Sequence, residues 1–517
     1  MKEPILLTDG YKLGHHRQYP KGTEMVYSNW TPRSNKYFPE AYEGAVVFGL
    51  QYLIKEYLIK QFNENFFNLP REQAIKEFHD RVDSFVGINN VGTSHIAALY
   101  DLGYLPIEIK ALPEGTICPI RVPWMTIKNT LPEFYWITNY LETLISCTLW
   151  MPSTSATRAR LYKKELKRHA KLTGFPDDVN LDFSCHDFSM RGMAGIEAAI
   201  ISGMAHMTSF CGSETIPAIR ALEEYYNTDA SKEIVAQTVA ATEHSVMCAG
   251  GKEDELNTFK RLINEVYPSG IVSIVSDTWD FWQVIEDYLP KLKKDIMARD
   301  GRVVIRPDSG DPVDIICGLR TNPHYNTKIE NGKYYLCLDP FDEDCHYAEI
   351  SKGQYYGAYW MLGETFGWNE TKNGYLYPDT HIGLLYGDSI TLERQRHIYS
   401  RLESIKCAAC NLVLGVGSFS YQFNTRDQLG YAVKATACIV NGIYYPIFKQ
   451  PKTDDGTKNS LKGLIAVYKD ENGKYYAVDE VSFEAEAQGE LKTVFKNGKL
   501  LVDWSLKEIR ERINSTL

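Results

Sequence analysis

The chain has 517 residues, of which 44% are hydrophobic and 24% charged, a balance that excludes intrinsic disorder and supplies enough apolar side chains for more than one core. Its formal net charge of −10 argues against a general nucleic-acid binder, so any polyanion site has to be a local basic pocket. Eleven cysteines without regular spacing fit reduced thiols better than a disulfide framework, and the single C-x-x-C, Cys407 and Cys410, lacks the second pair a zinc site needs.

The opening MKEPILLTDGYKLGHH carries an apolar run too short for a signal peptide, and no later stretch approaches a membrane span. A cytoplasmic protein with no membrane contact is expected. Strand-like runs follow at LPIEIKAL (105–112) and PWMTIKN (123–129). From about residue 183 a different pattern takes over: a short apolar run, a polar or glycine-rich tip, then a helical stretch. The tips are HDFSMRG (186–192), SFCGSE (209–214), ATEHS (241–245), SIVSD (273–277), VVIRPDSG (303–310), LLYGDS (384–389) and LVLGVGS (412–418). Most steps between them are roughly thirty residues, the length of one strand-plus-helix unit, which predicts a (β/α) barrel of parallel strands with loops at their carboxyl ends. The one long step contains NGKYYLCLDPFDEDC (331–345), whose NGK turn and aromatic run predict an inserted hairpin or lobe near 320–380. After the last tip, KATACIVNGIYYPIFK (434–449), GLIAVYKD (463–470) and LKTVFKNGKLLVDW (491–504) again read as strands. The expected architecture is α/β. A β-rich sheet domain comes from residues 1–150 and 424–517, and an irregular (β/α) barrel over 151–423 carries the site.

The stretch VVIRPDSGDP (303–312) sharpens this picture. A buried strand that merely turned a corner would need only a glycine and a proline, so the charges on Arg306 and Asp308 are surplus to the turn. Asp311 reads as an N-cap and Pro312 as a first helical residue, which sets free N–H groups beside the tip and makes it attractive to anions. Collected over all strands, the tips offer Phe188, Arg191, Glu214, Glu243, His244, Asp277, Arg306, Asp308, Asp388 and the Gly415/Gly417 loop. Acids, bases, an aromatic ring and backbone donors together suit a substrate with phosphates and a planar ring. Asp277, Asp308 and Asp388 can hold ribose hydroxyls or a hydrated magnesium ion, while Arg191, Arg306 and Arg426 can grip phosphate oxygens bidentately. Singly, each aspartate reads more readily as a helix cap than as a ligand, and GVGS as ordinary loop punctuation. Their recurrence at one end of successive strands, where barrels keep their active sites, favours a site.

HDFSMRG, ATEHS, SIVSDTWD, IRPDSGDP, YGDS, NTRD around Arg426 and LKTVFKNGK, together with LTDGYKLGHHRQYP and FGLQYL near the start, resemble the nicotinamide phosphoribosyltransferase family in order along the chain. The resemblance implies a type II phosphoribosyltransferase fold and a homodimer with active sites shared across its interface. It also implies a magnesium-dependent union of nicotinamide with phosphoribosyl pyrophosphate, giving nicotinamide mononucleotide and pyrophosphate. By similarity, Arg306 and Asp308 face base and ribose, and Asp277, near Ser273, acts with Asp308 on the ribose or the hydrated magnesium. Arg191, Arg426, Lys434, Gly387, Asp388, Gly415 and Gly417 handle ribose and phosphate. Phe188 stacks on one face of the pyridine and Tyr11 of the partner subunit on the other, with Arg33, Lys449 and Lys458 also expected from the partner. His244, beside Glu243 and near Thr238 and Ser245, is implied to accept a phosphoryl group from ATP. The chemistry suits these residue types, because breaking the ribosyl–diphosphate bond builds positive charge on the sugar and negative charge on the leaving group.

The sequence departs from the animal members of that family where Glu214 stands in GSE in place of a shorter aspartate, and GVGSFSYQ carries fewer glycines than the resemblance implies. A carboxylate at the base accepts a hydrogen bond from an amide and repels a nicotinate carboxylate, so a preference for nicotinamide over nicotinate is expected. The competing readings are a nicotinate phosphoribosyltransferase and a barrel that binds nucleotides without turnover.

Overall fold

In the computed structural model, which describes residues 3–87, 89–339, 345–387, 389–448 and 461–517, the chain divides into two compact units. One comprises Met1–Thr157, Arg220–Asp229 and Asn424–Thr516, and the other Arg158–Ile219 and Ala230–Phe423 with Leu517.

The first unit is organised on a seven-stranded sheet in the order Ile443–Pro446, Ala432–Val440, Thr23–Thr31, Met125–Asn129, Ile107–Ala111, Lys492–Lys496 and Lys499–Leu500, every pair antiparallel. Strands from the two chain ends interleave in it. Thr23–Thr31 lies inside it, between Ala432–Val440 and Met125–Asn129, with Val26, Tyr27 and Trp30 buried and the Trp30 ring stacked on Tyr431 at 4.8 Å. Two hairpins of this sheet turn on Asn-Gly pairs, Asn441-Gly442 and Asn497-Gly498, with positive φ at both residues. That is the turn whose twist matches the flanking strands and which Asn-Gly tolerates best. Residues 220–229, inside the stretch expected to belong to the barrel, pack in this first unit. Gln51 Nε2 donates to Tyr225 O and Trp504 O at 2.5 and 2.8 Å, and Leu506 N donates to Tyr226 O at 2.8 Å.

The second unit holds the expected parallel sheet, in the order Gly212–Ser213, Cys185–Asp187, Leu412–Val416, Ile382–Tyr386, Asp300–Arg306, Ser269–Val275 and Ala240–Ala241. Each strand lies beside the next in the chain, and the last beside the first. A further parallel bridge pairs Gly212 with Gln237, just ahead of Ala240, so the sheet curls round to meet itself. Val272, Ile274, Val303 and Ile305 are buried in it, as a run of β-branched residues in a twice-covered parallel strand requires. Asp311 caps the helix Pro312–Cys317 as expected, accepting from Val313 N and Asp314 N at 2.9 and 3.1 Å.

The long step between Gly310 and Gly387 forms a three-stranded antiparallel sheet, Thr327–Glu330, Lys333–Cys337 and Tyr347–Ile350, followed by the helices Lys352–Tyr356 and Ala358–Phe366. Its first hairpin turns on a third Asn-Gly pair, Asn331-Gly332. Cys337 and Cys345 are disulfide-bonded here, an exception to the all-thiol expectation, while Cys407 and Cys410 remain thiols. Among the described residues no helix is long and apolar enough to cross a membrane.

Candidate active site

A cavity of about 390 Å³ occupies the middle of the curled sheet, within the size range of small-ligand sites. Phe188, Glu214, Thr238 and Arg306 line it at the carboxyl ends of the strands, and Arg302 and Asn411 toward their amino ends.

One side of the mouth is built on Asp187, the last residue of Cys185–Asp187 and fully buried. Its Oδ1 accepts from Ser189 N at 2.9 Å, and its Oδ2 accepts from the hydroxyls of Thr215 and Ser213 at 2.7 and 3.3 Å. Those bonds tie the loop carrying Phe188 to the loop carrying Glu214. Phe188 N is fixed in turn by Val416 O at 3.0 Å. The ring lies against the glycine loops, where a Cβ on Gly415 would come within 2.5 Å of it, so only glycine fits there. The Glu214 carboxylate is half-buried. Its Oε1 accepts from the Thr238 hydroxyl and lies 3.2 Å from His186 Nε2, which is buried without a hydrogen-bond partner among the described residues. The adjacent His186 imidazole, helped by Thr238 and Arg306 against partial burial, holds the Glu214 carboxyl below the usual carboxylate range.

The opposite side is built on Asp277, whose side chain is 4% exposed. Its Oδ2 accepts from Asp308 N and Ser309 N at 2.9 and 2.7 Å, which fastens the RPDSG loop to the neighbouring strand end. Its Oδ1 is buried with no hydrogen-bond partner among the described residues, as are Ser273 Oγ and Arg306 Nε. Arg306 Nη2 donates to Thr242 O at 2.7 Å, and its Nε lies 3.9 Å from Asp308 Oδ1. Asp308 Oδ1 sits over Gly387, at 2.7 Å from where a Cβ would stand. The Arg306 and Asp308 charges that the turn did not need therefore face the strand mouths.

His244 opens the short helix His244–Cys248. In the sequence it stands beside Glu243 and near Thr238 and Ser245, but Nδ1 pairs with the Thr278 hydroxyl at 3.1 Å and Nε2 faces Asp277 Oδ1 at 3.8 Å. Ser245 is turned to Glu243 and Thr238 to Glu214, because each hydroxyl takes the nearest carboxylate. The ring is half-exposed.

Arg191 is exposed on the turn Met190–Gly192, and Gly417 has open space where a side chain would begin. Tyr11, Arg33, Arg426 and Lys434 belong to the first unit. Tyr11 is 66% exposed. Arg33 donates to Gly430 O at 2.7 Å, and burial, then the positive charge of Arg426 beside it, lower its pKa. These two cations are thus neighbours in one chain. Lys434 pairs with Asn29 in the sheet register. Asp388, Lys449 and Lys458 lie outside the described residues.

Sequence reasoning missed Asp187, His186 and Thr278. The first two lie within HDFSMRG and the third within SIVSDTWD, but their neighbours Phe188 and Asp277 drew the assignment. Among the described residues no group of three acidic, histidine or cysteine side chains could hold a metal ion. The unpartnered Asp277 Oδ1 near Asp308 still fits a magnesium ion, which keeps most of its waters and takes one or two carboxylates plus substrate phosphates.

Residues 183–499 match the model of the "Nicotinate phosphoribosyltransferase (NAPRTase) family", and residues 4–109 that of the "Nicotinamide phosphoribosyltransferase, N-terminal domain". A nicotinamide phosphoribosyltransferase of Acinetobacter baylyi is 46% identical over 99% of this chain and 97% of its own length. One of Xanthomonas campestris pv. campestris is 30% identical over 98% and 97%. Among solved structures, a nicotinate-nucleotide pyrophosphorylase from Pyrococcus furiosus superposes with a TM-score of 0.57 at 16% identity, covering 99% of this chain and 95% of that one. The human nicotinic acid phosphoribosyltransferase gives 0.54 at 14%, covering 99% and 93%. The structural likeness bears on the fold, which is that of the type II phosphoribosyltransferases.

Proposed function

The chain belongs to the nicotinamide phosphoribosyltransferase family, and from that premise we propose how its own residues carry a pentosyl transfer. The reaction joins nicotinamide to phosphoribosyl pyrophosphate in NAD biosynthesis. The pyridine nitrogen lone pair forms the bond to the ribose anomeric carbon, while the bond from that carbon to the diphosphate oxygen breaks and its electrons leave with pyrophosphate. Phe188 stacks on the pyridine at the cavity mouth, and Glu214 accepts from the carboxamide. Asp308 and Asp277 lie on the ribose side, where their charge stabilises the oxocarbenium-like transition state. Arg306 supplies a donor at the base and ribose. No protein nucleophile takes part. The observation that carries this reading is the Asp277 carboxylate, which secures the RPDSG loop with one oxygen and keeps the other unpartnered among the described residues.

Asp277 and Asp308, directly or through water, are the residues that would hold Mg²⁺. Bound there, the ion would offset the charge building on the diphosphate. His244 is the phosphoryl acceptor: its Nε2 attacks the γ-phosphorus of ATP, ADP leaves, and the phosphohistidine improves the capture of phosphoribosyl pyrophosphate. The Thr278 contact at Nδ1, which leaves Nε2 as the available nitrogen, supports this assignment. The enzyme works in the cytoplasm as a homodimer with shared sites. The exposed Tyr11 ring enters the site of the other subunit, and the adjacency of Arg33 and Arg426 means that whichever chain supplies one supplies both.

The test is turnover with each base in the presence of phosphoribosyl pyrophosphate and Mg²⁺. Nicotinamide should give nicotinamide mononucleotide and an equal amount of pyrophosphate, with ATP raising the rate. Turnover of nicotinate alone would move the assignment to the nicotinate enzyme, and turnover of neither base would leave a nucleotide-binding barrel. Mixing Tyr11→Ala with Asp308→Ala chains tests the shared site, since the heterodimer regains one intact site. Subunit exchange without any recovered activity would contradict it.

A further inference from the structure

His186 is 7% exposed and has no part in the reaction as set out above. Its ring is tightly placed: Nδ1 lies 2.6 Å from where a Cβ on Gly212 would stand, and the Phe188 ring is centred 5.0 Å away. Behind it, His206 is spoken for, with Nδ1 on Tyr421 Oη at 2.7 Å and Nε2 on Gly212 O at 3.1 Å. Among the described residues the carboxylate that His186 faces is that of Glu214, with buried Nε2 at 3.2 Å from Oε1 but outside hydrogen-bond geometry. Thr238 donates to that same oxygen. Glu214 Oε2 has no hydrogen bond among the described residues. A glutamate side chain has three rotatable bonds, so a half-exposed one that must read a ligand has to be held still.

We propose that His186 is a positioning residue for base recognition: with Thr238 it engages Oε1 of Glu214 and so presents Oε2 as the acceptor for the carboxamide NH₂ of nicotinamide. The proposal rests on the reading of Glu214 as the carboxylate that selects the base. It also explains how a side chain one methylene longer than aspartate serves there, since the Thr238 hydroxyl bond and the imidazole close to the same oxygen restrict the extra freedom. The same arrangement works against nicotinate, whose carboxylate would face a fixed negative charge that cannot swing aside.

Steady-state kinetics of the full-length enzyme with both bases tests this. His186→Leu should raise the KM for nicotinamide roughly tenfold, the effect of losing one charge-assisted contact, with kcat and the KM for phosphoribosyl pyrophosphate near wild type. The preference for nicotinamide over nicotinate should narrow in step. His186→Gln, whose carboxamide can donate to the same oxygen, should recover much of the loss. Thr238→Val, at an exposed position that carries little folding risk, should give a smaller shift in the same direction and decides the matter if His186→Leu does not fold. Glu214→Gln separates the two claims. If it leaves the base preference unchanged, the reading of Glu214 is wrong. If it narrows the preference while the His186 and Thr238 variants keep the wild-type ratio, the reading stands and the positioning role is overturned.

Discussion

Asp187 and Asp277 occupy comparable places, one ending the strand Cys185–Asp187 and the other two residues beyond Ser269–Val275, and each ties a loop to a neighbouring strand end. Their second oxygens differ. Asp187 gives both oxygens to its own chain, through Ser189, Ser213 and Thr215, whereas Asp277 spends one on the RPDSG loop and leaves the other, buried, without a partner among the described residues. A buried oxygen without a hydrogen bond costs about 1–3 kcal/mol. The Ser273 hydroxyl, on the strand that leads to Asp277, and Arg306 Nε, on the adjacent one, are likewise buried without partners among the described residues, and a bound substrate in the proposed reaction would supply the missing bonds. In the proposed reaction Asp187 itself is scaffold for the loops that carry Phe188 and Glu214, and Asp277 belongs to the reacting end.

That contrast breaks most visibly under substitution. Asp277→Asn, which can still accept from the two backbone N–H groups, should lower kcat by a factor on the order of 10²–10³, as removal of a transition-state charge contact does, with thermal unfolding near wild type. A variant with wild-type kcat would erase the distinction. Asp187→Ala should show the reverse balance. It leaves the Thr215 hydroxyl and Ser189 N–H unpaired in the interior, so Tm should fall by about 5 °C or more, while enzyme folded at low temperature keeps most of its kcat. Loss of kcat without loss of Tm would make Asp187 a participant. His244, which faces the unpartnered Asp277 oxygen, sharpens the comparison on the reacting side. His244→Ala should abolish ATP hydrolysis and the ATP effect on synthesis together, leaving a slow ATP-independent reaction. A variant that still hydrolyses ATP and responds to it would move the phosphoryl acceptor elsewhere.

The smallest effect lies in the first unit, where His95 stacks on His16 at 3.7 Å. Burial, reinforced by His16, pushes its pKa down to about 3. The unfolded imidazole titrates near about 6.5, so the folded state binds fewer protons, and the stability contribution is fully present above that pH and lost as pH falls toward 3. His95→Phe should flatten the acid limb of the stability curve by about one proton between pH 6 and 4. An unchanged slope would show that His95 carries no such burden.

The barrel was legible because each of its repeats announces itself, with a β-branched run, a polar tip and a helix start that recur along VVIRPDSGDP, SIVSD and ATEHS. The Asn-Gly hairpins were legible for the same reason, since a two-residue turn with positive φ leaves a local signature. Membership of residues 220–229 in the first unit was not. It depends on Gln51 reaching Tyr225 and Leu506 reaching Tyr226, contacts between distant segments that no spacing encodes. Within the site, the sequence brought forward residues with an obvious chemical handle, Phe188, Glu214, Asp277, Arg306 and Asp308. It passed over Asp187, His186 and Thr278, whose roles follow only from which donor meets which oxygen. The Cys337–Cys345 pair escaped for a related reason, because scattered cysteines carry no pairing information until the hairpin folds.

The most direct measurement is a crystal structure with nicotinamide mononucleotide, Mg²⁺ and pyrophosphate bound. It should give Asp277 Oδ1, Ser273 Oγ and Arg306 Nε partners from the ligands or their bound waters, and put the carboxamide nitrogen within hydrogen-bond distance of Glu214, with every Asp187 contact unchanged. A complex in which the nucleotide lies away from those three atoms, or in which Asp187 gives up its hydroxyls to hold it, would contradict the division between scaffold and reacting end.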